Sequence, residues 1–394
     1  MKTMHLAIIT TAVITVIITA ALMITTNENL FKPRDVVTEK IQKLVDYSTI
    51  LHIFLPNNTG NDVGITTNDF DWSHDGKFAA FSMSGGAPVS YLWATSSDGK
   101  EIKHLKIPIK FNYIENIHFS PDSSSIFFVG QYNDGNETYQ DIFRYDLGDA
   151  TYHFVTKDSH VRAFDFMPDG NIVFVESHYN STRLQNDMPI FLVRHYNLLW
   201  LASPDGKKIM SLYNGTVLFQ EIAVSPDGNK IVFISSEDPH NPSSNGTDIV
   251  NINGLGGPIK ATSSYLSTFG MANRNFTILK QSVTDGYANP KWLTNNVLLY
   301  QTMIPKCVKD RAVGTQSCPA GLLDMTNLSD NSTTVLYGNK VEPYTAPLFG
   351  YAISHDKRSI IFGMNFDFSN GNIDGTGIYK MDFETPLSEA SGVR

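Results

Sequence analysis

The sequence predicts an all-β protein: a six-bladed β-propeller of four-stranded antiparallel blades, with an N-terminal transmembrane helix. Three observations lead to this prediction. A short turn motif between two apolar runs recurs six times along the 394 residues, and a second strand–turn–strand pattern follows each copy. Residues 6–24 form an uncharged apolar stretch ahead of the first copy. Four-stranded units repeated at a period of this size are typical of propeller blades.

The recurring motif is Ser-Pro-Asp-Gly or a close variant, and it predicts a tight turn between two strands. Proline presets φ, aspartate caps its own backbone and glycine accepts a positive φ. The flanking runs are rich in Ile, Val and Phe and too short for helices, so we interpret them as strands. The copies are centred on Asp75, Asp122, Asp169, Asp227 and Asp356, with a degraded copy at 290–294.

Each copy is followed by a third strand, a second turn and a weaker fourth strand, which completes a four-stranded unit. Successive copies are 47, 47, 58, about 67 and about 62 residues apart. In the fourth unit, the third strand is predicted at 248–251, and residues 264–287 form a connection to the next unit. A solitary blade cannot bury both of its faces, so the units are expected to form one cooperative domain.

The repeat is similar to that of the TolB-type, WD40-like (PD40) propeller family. The residues that carry the likeness are an apolar run, Ser-Pro-Asp-Gly, a run ending in Phe, and then a second Asp-Gly turn. The likeness covers roughly residues 50–384, and the copies at Met167 and Trp292 depart from the pattern. It implies a propeller, but a shared fold implies no particular activity.

The last unit lacks a fourth strand, which predicts that a strand from the other end of the chain closes the ring. We expect residues 49–55 to be that strand and to remove the free edge. Residues 25–48 are predicted to be a neck with a short amphipathic helix over 35–47, which places Ile41, Leu44 and Val45 on one face. The propeller then spans 49–384, and 385–394 is a C-terminal tail.

Residues 6–24 are predicted to anchor the chain in a membrane. At about 1.5 Å per residue they span roughly the hydrocarbon thickness of a bilayer. Lys2 lies in the short cytoplasmic segment 1–5, so the positive-inside rule places the propeller outside the cytoplasm, at the cell surface or in a periplasm-like space. A cleaved signal peptide is the alternative, and it also leads to export.

Export favours two covalent modifications. Cys307 and Cys318 are the two cysteines of the chain, and they are predicted to form a disulfide in the loop of the fifth unit, with two free thiols as the alternative. Glycosylation sequons are possible acceptor sites in an exported protein. They begin at Asn57, Asn136, Asn180, Asn214, Asn245, Asn275, Asn327 and Asn331.

Charge and motifs exclude several classes of function. A net charge of −9 and the lack of a basic stripe argue against a nucleic-acid partner. The chain contains no Gly-x-Ser-x-Gly, phosphate loop or dinucleotide motif, so the sequence predicts no catalytic residue, cofactor or metal. His74 and His355 replace proline in two turns; we expect them to be surface histidines, with a shared metal site as the alternative. Hairpin turn chemistry explains the composition of residues 365–374, with a calcium site as the alternative.

The sequence therefore predicts a membrane-anchored extracytoplasmic propeller that acts as a protein- or ligand-binding or scaffold module of the cell envelope. Its partner is expected on the face that carries the long loops, because function tends to reside on elaborated loops over a rigid scaffold. These loops are 131–140, 178–196, 237–247, 304–320 and 365–376. One alternative is a glycan hydrolase or lyase, which convergent buried carboxylates in the channel would favour. Another is an accessory subunit of a membrane complex that acts through residues 1–47.

Overall fold

The structure, a computed structural model, is almost entirely β in the residues that it describes. These are 38–47, 50, 65–85, 89–135, 137–183, 190–242, 247–251, 263–283, 285–304, 308–309, 316–317, 320–337, 348–364 and 377–390. The chain divides into two compact units, Met1–Val37 and Thr38–Arg394, and every described strand belongs to the second. The predicted anchor at 6–24 lies outside the described residues, among which no helix is long and apolar enough to cross a membrane.

The strands fall into consecutive sets of four, and each set is an antiparallel meander. The first set is β2 (Ile65–Trp72), β3 (Phe78–Gly85), β4 (Ser90–Ser96) and β5 (Ile102–Leu105). The second set is β6 (Phe111–Phe119), β7 (Ser125–Asp134), β8 (Glu137–Asp146) and β9 (Thr151–Phe154). These two sets join through a single residue pair, Ser90 opposite Phe111.

The third and fourth sets correct the sequence prediction for residues 248–287. The third set is β10 (Val161–Phe166), β11 (Ile172–Arg183), β12 (Ile190–Ala202) and β13 (Lys208–Gly215). The fourth is β14 (Glu221–Val224), β15 (Lys230–Ser235), β17 (Ser264–Gly270) and β18 (Phe276–Ser282). The segment predicted as a connection thus supplies two strands. The predicted third strand, β16 (Thr247–Asn251), instead pairs with residues 190–194 of β12, which extend beyond β13 and offer a free edge.

The fifth set is β19 (Gly286–Thr294), β20 (Val297–Ile304), β23 (Ala320–Asn327) and β24 (Ser332–Tyr337). Two further strands of two residues each, β21 (Val308–Lys309) and β22 (Gln316–Ser317), pair with each other; in the sequence they lie between its second and third strands. The last set is β25 (Leu348–Ile353), β26 (Ser359–Met364) and β27 (Gly377–Phe383), completed by β1 (Thr38–Asp46). One helical turn, α1 (Leu387–Ala390), follows.

The strand that completes the last set comes from the N-terminal side, as predicted, but from a different segment. β1 (Thr38–Asp46) pairs antiparallel with β27, so the predicted amphipathic helix over 35–47 is wrong for these residues, and so is the assignment of 49–55 as the closing strand. Residues four apart share a face in a regular strand, but a register shift between Lys43 and Val45 interrupts the alternation in β1. Val45 is therefore buried whereas Ile41 is 47% exposed.

The repeated turn forms through a side-chain network that the sequence motif encodes. In the fourth set, Ser225 Oγ donates to Asp227 Oδ1 (2.6 Å) and accepts from the Lys230 N–H (2.9 Å). The same pair of bonds recurs at Ser73, Ser120 and Ser354. The hydroxyl and the carboxylate satisfy backbone donors within the turn, which explains why serine and aspartate recur together.

The first strand of each set lies beside the first strand of the next. β2 contacts β6 and β25, β10 contacts β6 and β14, and β14 contacts β19. Aromatic and aliphatic side chains fill the space between neighbouring sets, including Phe81 and Trp93 against Val45 and Ile378 where the last set meets the first. The prediction of an all-β chain of four-stranded antiparallel sheets is confirmed, and the arrangement is consistent with a β-propeller.

Candidate functional site

Charged side chains from four of these first strands converge on one space. Asp69 and Asp71 come from β2, Asp165 from β10, Glu221 from β14 and Lys291 from β19. Burial opposes the charge of Lys291, but the combined field of the four carboxylates prevails and raises the pKa of its ammonium group. This shared electrostatic influence places all five side chains around a common interior region, which we call the channel cluster.

The channel cluster is enclosed by protein yet reachable by water. Asp69 is 7% exposed, whereas Asp71, Asp165, Glu221 and Lys291 are half-buried. The side chains of Glu115 on β6 and Arg162 on β10 are exposed. Glu115 interacts electrostatically with both Arg162 and Asp69. Lys357, after β25, also interacts with Asp71. Among the described residues, five carboxyl groups therefore face three cations, so the lining carries an excess of negative charge when all groups are ionised.

The carboxylates of the cluster also join neighbouring first strands. Asp69 Oδ2 accepts from the Ile117 N–H (2.8 Å) and Asp71 Oδ2 accepts from the Phe119 N–H (2.7 Å), both on β6. Asp165 Oδ2 accepts from the Val224 N–H (2.6 Å) on β14. Glu221 accepts in the same way from the N–H of Asn289 on β19. These side chains thus have a structural role, and hydrogen bonds to charged acceptors are among the stronger ones in proteins.

Enclosure makes these carboxyl groups easier to protonate than ordinary ones. Burial raises the pKa of Asp71 and of Asp165 to about 6, against the opposing effects of Lys291 and of backbone donors. Burial raises the pKa of Glu221 to about 7, and it also raises the pKa of Asp69. Removing a carboxylate from bulk water disfavours its charged form. The cluster therefore titrates near neutral pH.

Lys291 is held by its backbone rather than by direct ion pairs. Among the described residues, its ammonium group has no carboxylate partner within 4.0 Å. The strand bulges just before it, where Asn289 adopts a φ of 50°. The Asn289 carbonyl accepts from Tyr351 Oη (2.6 Å), and its side-chain amide donates to Gln301 Oε1 (2.6 Å). These bonds fix the bulge that precedes Lys291 on β19.

A histidine–aspartate pair lies beside the cluster. His118 is 8% exposed, and its Nδ1 lies 3.5 Å from Asp165 Oδ1. Its Nε2 has no hydrogen-bond partner among the described residues. Burial, followed by the charge of Lys291, lowers the pKa of His118 well below its ordinary value, so the ring is neutral at physiological pH. A neutral imidazole with a free nitrogen can accept a proton or bind a ligand.

The structure leaves several predicted site residues untested. Cys307 and Cys318 lie outside the described residues, and so do Asn57, Asn136, Asn245 and residues 365–376, so the disulfide and these sequons stay predictions. For Asn180 only the strand backbone is described. Three sequon asparagines, Asn214, Asn275 and Asn331, are exposed. Asn327 is 5% exposed and its side-chain oxygen accepts from the Ser329 N–H, which is unfavourable for glycosylation.

Two of the predicted long loops are hairpin extensions instead. Residues 131–140 continue β7 and β8 up to a turn at Gly135, and residues 178–183 and 190–196 continue β11 and β12. The structure describes too little of the 304–320 and 237–247 segments to define a binding surface there. The channel cluster, by contrast, is formed by residues that the structure describes.

Sequence reasoning missed the channel cluster, although its members share a position. Asp69, Asp71, His118 and Asp165 all lie two to four residues before the Ser or Met that opens the repeated turn. Polar residues alternate there with buried Phe70, Ile117 and Phe164, which is the period of a strand with one polar face. Aligning the repeats on their turns would have placed these polar positions side by side.

Comparison with known proteins gives only distant likenesses. No family model matches the chain, and no curated protein is significantly similar to it. An oligogalacturonate lyase in complex with manganese is 11% identical (TM-score 0.46), with 91% of this chain and 96% of that chain covered. TolB from Acinetobacter baumannii is 13% identical (TM-score 0.45), with 86% of this chain and 68% of that chain covered. A puromycin-hydrolysing peptidase from Mycobacterium tuberculosis is 13% identical (TM-score 0.47), and this chain spans 47% of its length. Likenesses at this level say nothing about function.

Proposed function

We propose that the chain is a six-bladed, membrane-anchored propeller outside the cytoplasm that acts as a binding module of the cell envelope. Each set of four strands is one blade, and the anchor is residues 6–24. The observation that carries the binding role is the channel cluster: carboxyl groups from several blades share a water-accessible interior with Lys291, which has no carboxylate within 4.0 Å among the residues that the structure describes. Concave sites lined by a few convergent polar groups with perturbed pKa values are typical of ligand binding.

The charge of the channel lining favours a ligand with a cationic group. Clefts lined by one sign of charge raise the local concentration of the opposite sign. Glu115 lies on β6 towards the β7–β8 hairpin, where its Oε1 accepts from Gln140 Nε2 (2.7 Å). The acidic lining therefore extends towards the side of the second-to-third strand hairpins. We propose that a protein or envelope ligand presents an amine or guanidinium group from that side.

Variants that remove charge but keep the strand-joining bonds test this function. Asp71→Asn and Glu221→Gln retain an oxygen that can accept from the Phe119 and Asn289 N–H groups. The full-length double variant, used as bait on detergent-solubilised native membranes, is expected to capture at least about tenfold less of the partner taken by the wild type, a loss of roughly 1.4 kcal/mol. Capture undiminished in the double variant would refute a role for the channel.

A matched control separates loss of the site from loss of surface charge. Asp98→Asn and Asp205→Asn remove the same two charges from exposed turns. Exposed charges of this kind contribute little to stability. This control is expected to capture the partner as the wild type does. If both double variants lose the partner equally, overall charge rather than the channel governs binding.

A second candidate function is a glycan hydrolase or lyase in the channel. The specific observation that favours it is the His118–Asp165 pair next to Lys291, because a neutral imidazole with a free Nε2 can act as a general base. Incubation of the purified protein with acidic and neutral envelope glycans, followed by mass spectrometry of the products, tests this. Cleavage that is lost in His118→Ala would replace binding as the main function, and no cleavage would leave the binding module as the proposal.

A further inference from the structure

Two exposed histidines come together where the last set of strands meets the first. His74 lies in the β2–β3 turn and His355 in the β25–β26 turn, and their ring centroids are 5.5 Å apart at an interplanar angle of 50°. Both occupy the position that proline has in the other copies of the turn motif. The residues are 281 positions apart in the sequence, so the fold alone creates the pair.

The spacing of the two rings fits joint coordination of one metal ion. An imidazole nitrogen binds zinc at about 2.0–2.1 Å, and the ring centre lies about 1 Å further away. Two rings on one ion at a near-tetrahedral angle then have centroids about 5–5.5 Å apart. The observed separation of 5.5 Å is at the upper end of this range, and both side chains are exposed enough to adjust.

One charged side chain near the pair opposes a bound cation. Lys357 interacts electrostatically with both His74 and His355. It is half-buried and also interacts with Asp71 and Asp356, which carry the opposite charge.

We propose that His74 and His355 together bind a divalent transition-metal ion, such as Zn²⁺, Ni²⁺ or Cu²⁺, across the junction between the first and last sets of strands. Imidazole ligands suit these ions. Among the described residues no group of three or more His, Cys, Asp or Glu side chains is placed to hold a metal, so water completes the coordination. The ion would tie together the two ends of the strand ring, on the face opposite the acidic opening.

Titration of the full-length, detergent-solubilised protein, purified without a polyhistidine tag, tests this site. We expect isothermal titration calorimetry with Zn²⁺ or Ni²⁺ to show one site per chain. His74→Ala and His355→Ala should each weaken binding by at least about tenfold, since loss of a residue that only orients a metal ligand already costs that much. With Cu²⁺, the electron paramagnetic resonance spectrum should show two imidazole nitrogens in the wild type and one in either variant.

Two further variants make the result decisive. His240→Ala removes an exposed histidine elsewhere, so it should bind as the wild type does. Lys357→Gln removes the neighbouring positive charge and should tighten metal binding. Circular dichroism confirms that each variant is folded. No binding by the wild type, or equal binding in His74→Ala and His355→Ala, would overturn the proposal. Weaker binding in Lys357→Gln would also overturn it and would indicate an anion site.

Discussion

Removal of residues 1–47 is expected to lower the free energy of unfolding by roughly 3–6 kcal/mol compared with removal of residues 1–37 alone. The longer deletion takes away β1, which pairs with β27 over most of its length. It also removes Val45 and Tyr47, each 2% exposed, from the core cluster between the last and first sets. Burial of one large apolar side chain contributes about 1.5–3 kcal/mol, and two such side chains give the expected range.

The two truncated chains differ only in β1 and the residue after it, so they are compared by urea unfolding under identical conditions. The shorter deletion should unfold like the full chain. Ile41→Ala, at an exposed position of the same strand, should change stability by less than about 0.5 kcal/mol. The bared edge of β27 should also make the 1–47 deletion prone to association. Equal stability of the two truncated chains would show that β1 does not close the ring.

Lys291→Met is expected to destabilise the protein by about 3–5 kcal/mol at pH 8, because it leaves several enclosed carboxylates without their shared counter-charge. The side chain of methionine has a similar length, so loss of packing contributes little. The effect should be much smaller at pH 5. There Asp71 and Asp165, each with a pKa of about 6, and Glu221, with a pKa of about 7, are largely protonated.

The sign of this pH dependence follows from linkage. The folded carboxyl groups have pKa values above those of the unfolded chain, so the folded state binds more protons between about pH 4 and pH 7. The stability that protonation of these carboxyl groups contributes is fully present below about pH 4 and is lost as the pH rises through 6 and 7. His74 and His118, which have lowered pKa values, act in the opposite direction but are present in both proteins. The difference between wild type and variant therefore isolates the cluster.

Chemical unfolding at pH 5, 6, 7 and 8 gives this difference directly. Lys103→Met, at an exposed position on β5, serves as the control and should show no pH-dependent loss. A Lys291→Met protein that loses as much stability at pH 5 as at pH 8 would contradict the account of the channel cluster. The lysine would then matter for packing rather than for charge.

The four-stranded sets could be predicted because their turns are encoded locally. In each good copy the serine hydroxyl and the aspartate carboxylate cap the turn within five residues, as Ser225 and Asp227 show. The choice between alternative strand partners could not be predicted in the same way. β16 has the apolar pattern of a third strand, but it pairs with residues 190–194 of β12. That pairing depends on how far the β11–β12 hairpin extends in the folded structure, which the local sequence of β16 does not indicate.

The candidate site was harder to predict because its members are distributed along the chain. Five of the six first strands contribute one or two charged residues, and these residues form no local motif. Asp69 meets the Ile117 N–H across 48 residues, and Glu221 meets the Asn289 N–H across 68. These separations match the spacing of the repeated turns, so the spacing itself indicates which residues of neighbouring first strands meet. Lys291 lies in the degraded copy, where the turn motif is weakest.

We propose that the four-stranded sets, and not the N-terminal segment, carry the binding function. A Thr38–Arg394 bait on detergent-solubilised native membranes, compared with the full-length chain, distinguishes the two. A bait that starts at residue 48 would lack β1 and could fail for that reason alone. We expect Thr38–Arg394 to retain the partner. A partner that binds only the full-length chain would instead assign the function to residues 1–37, as in an accessory subunit of a membrane complex.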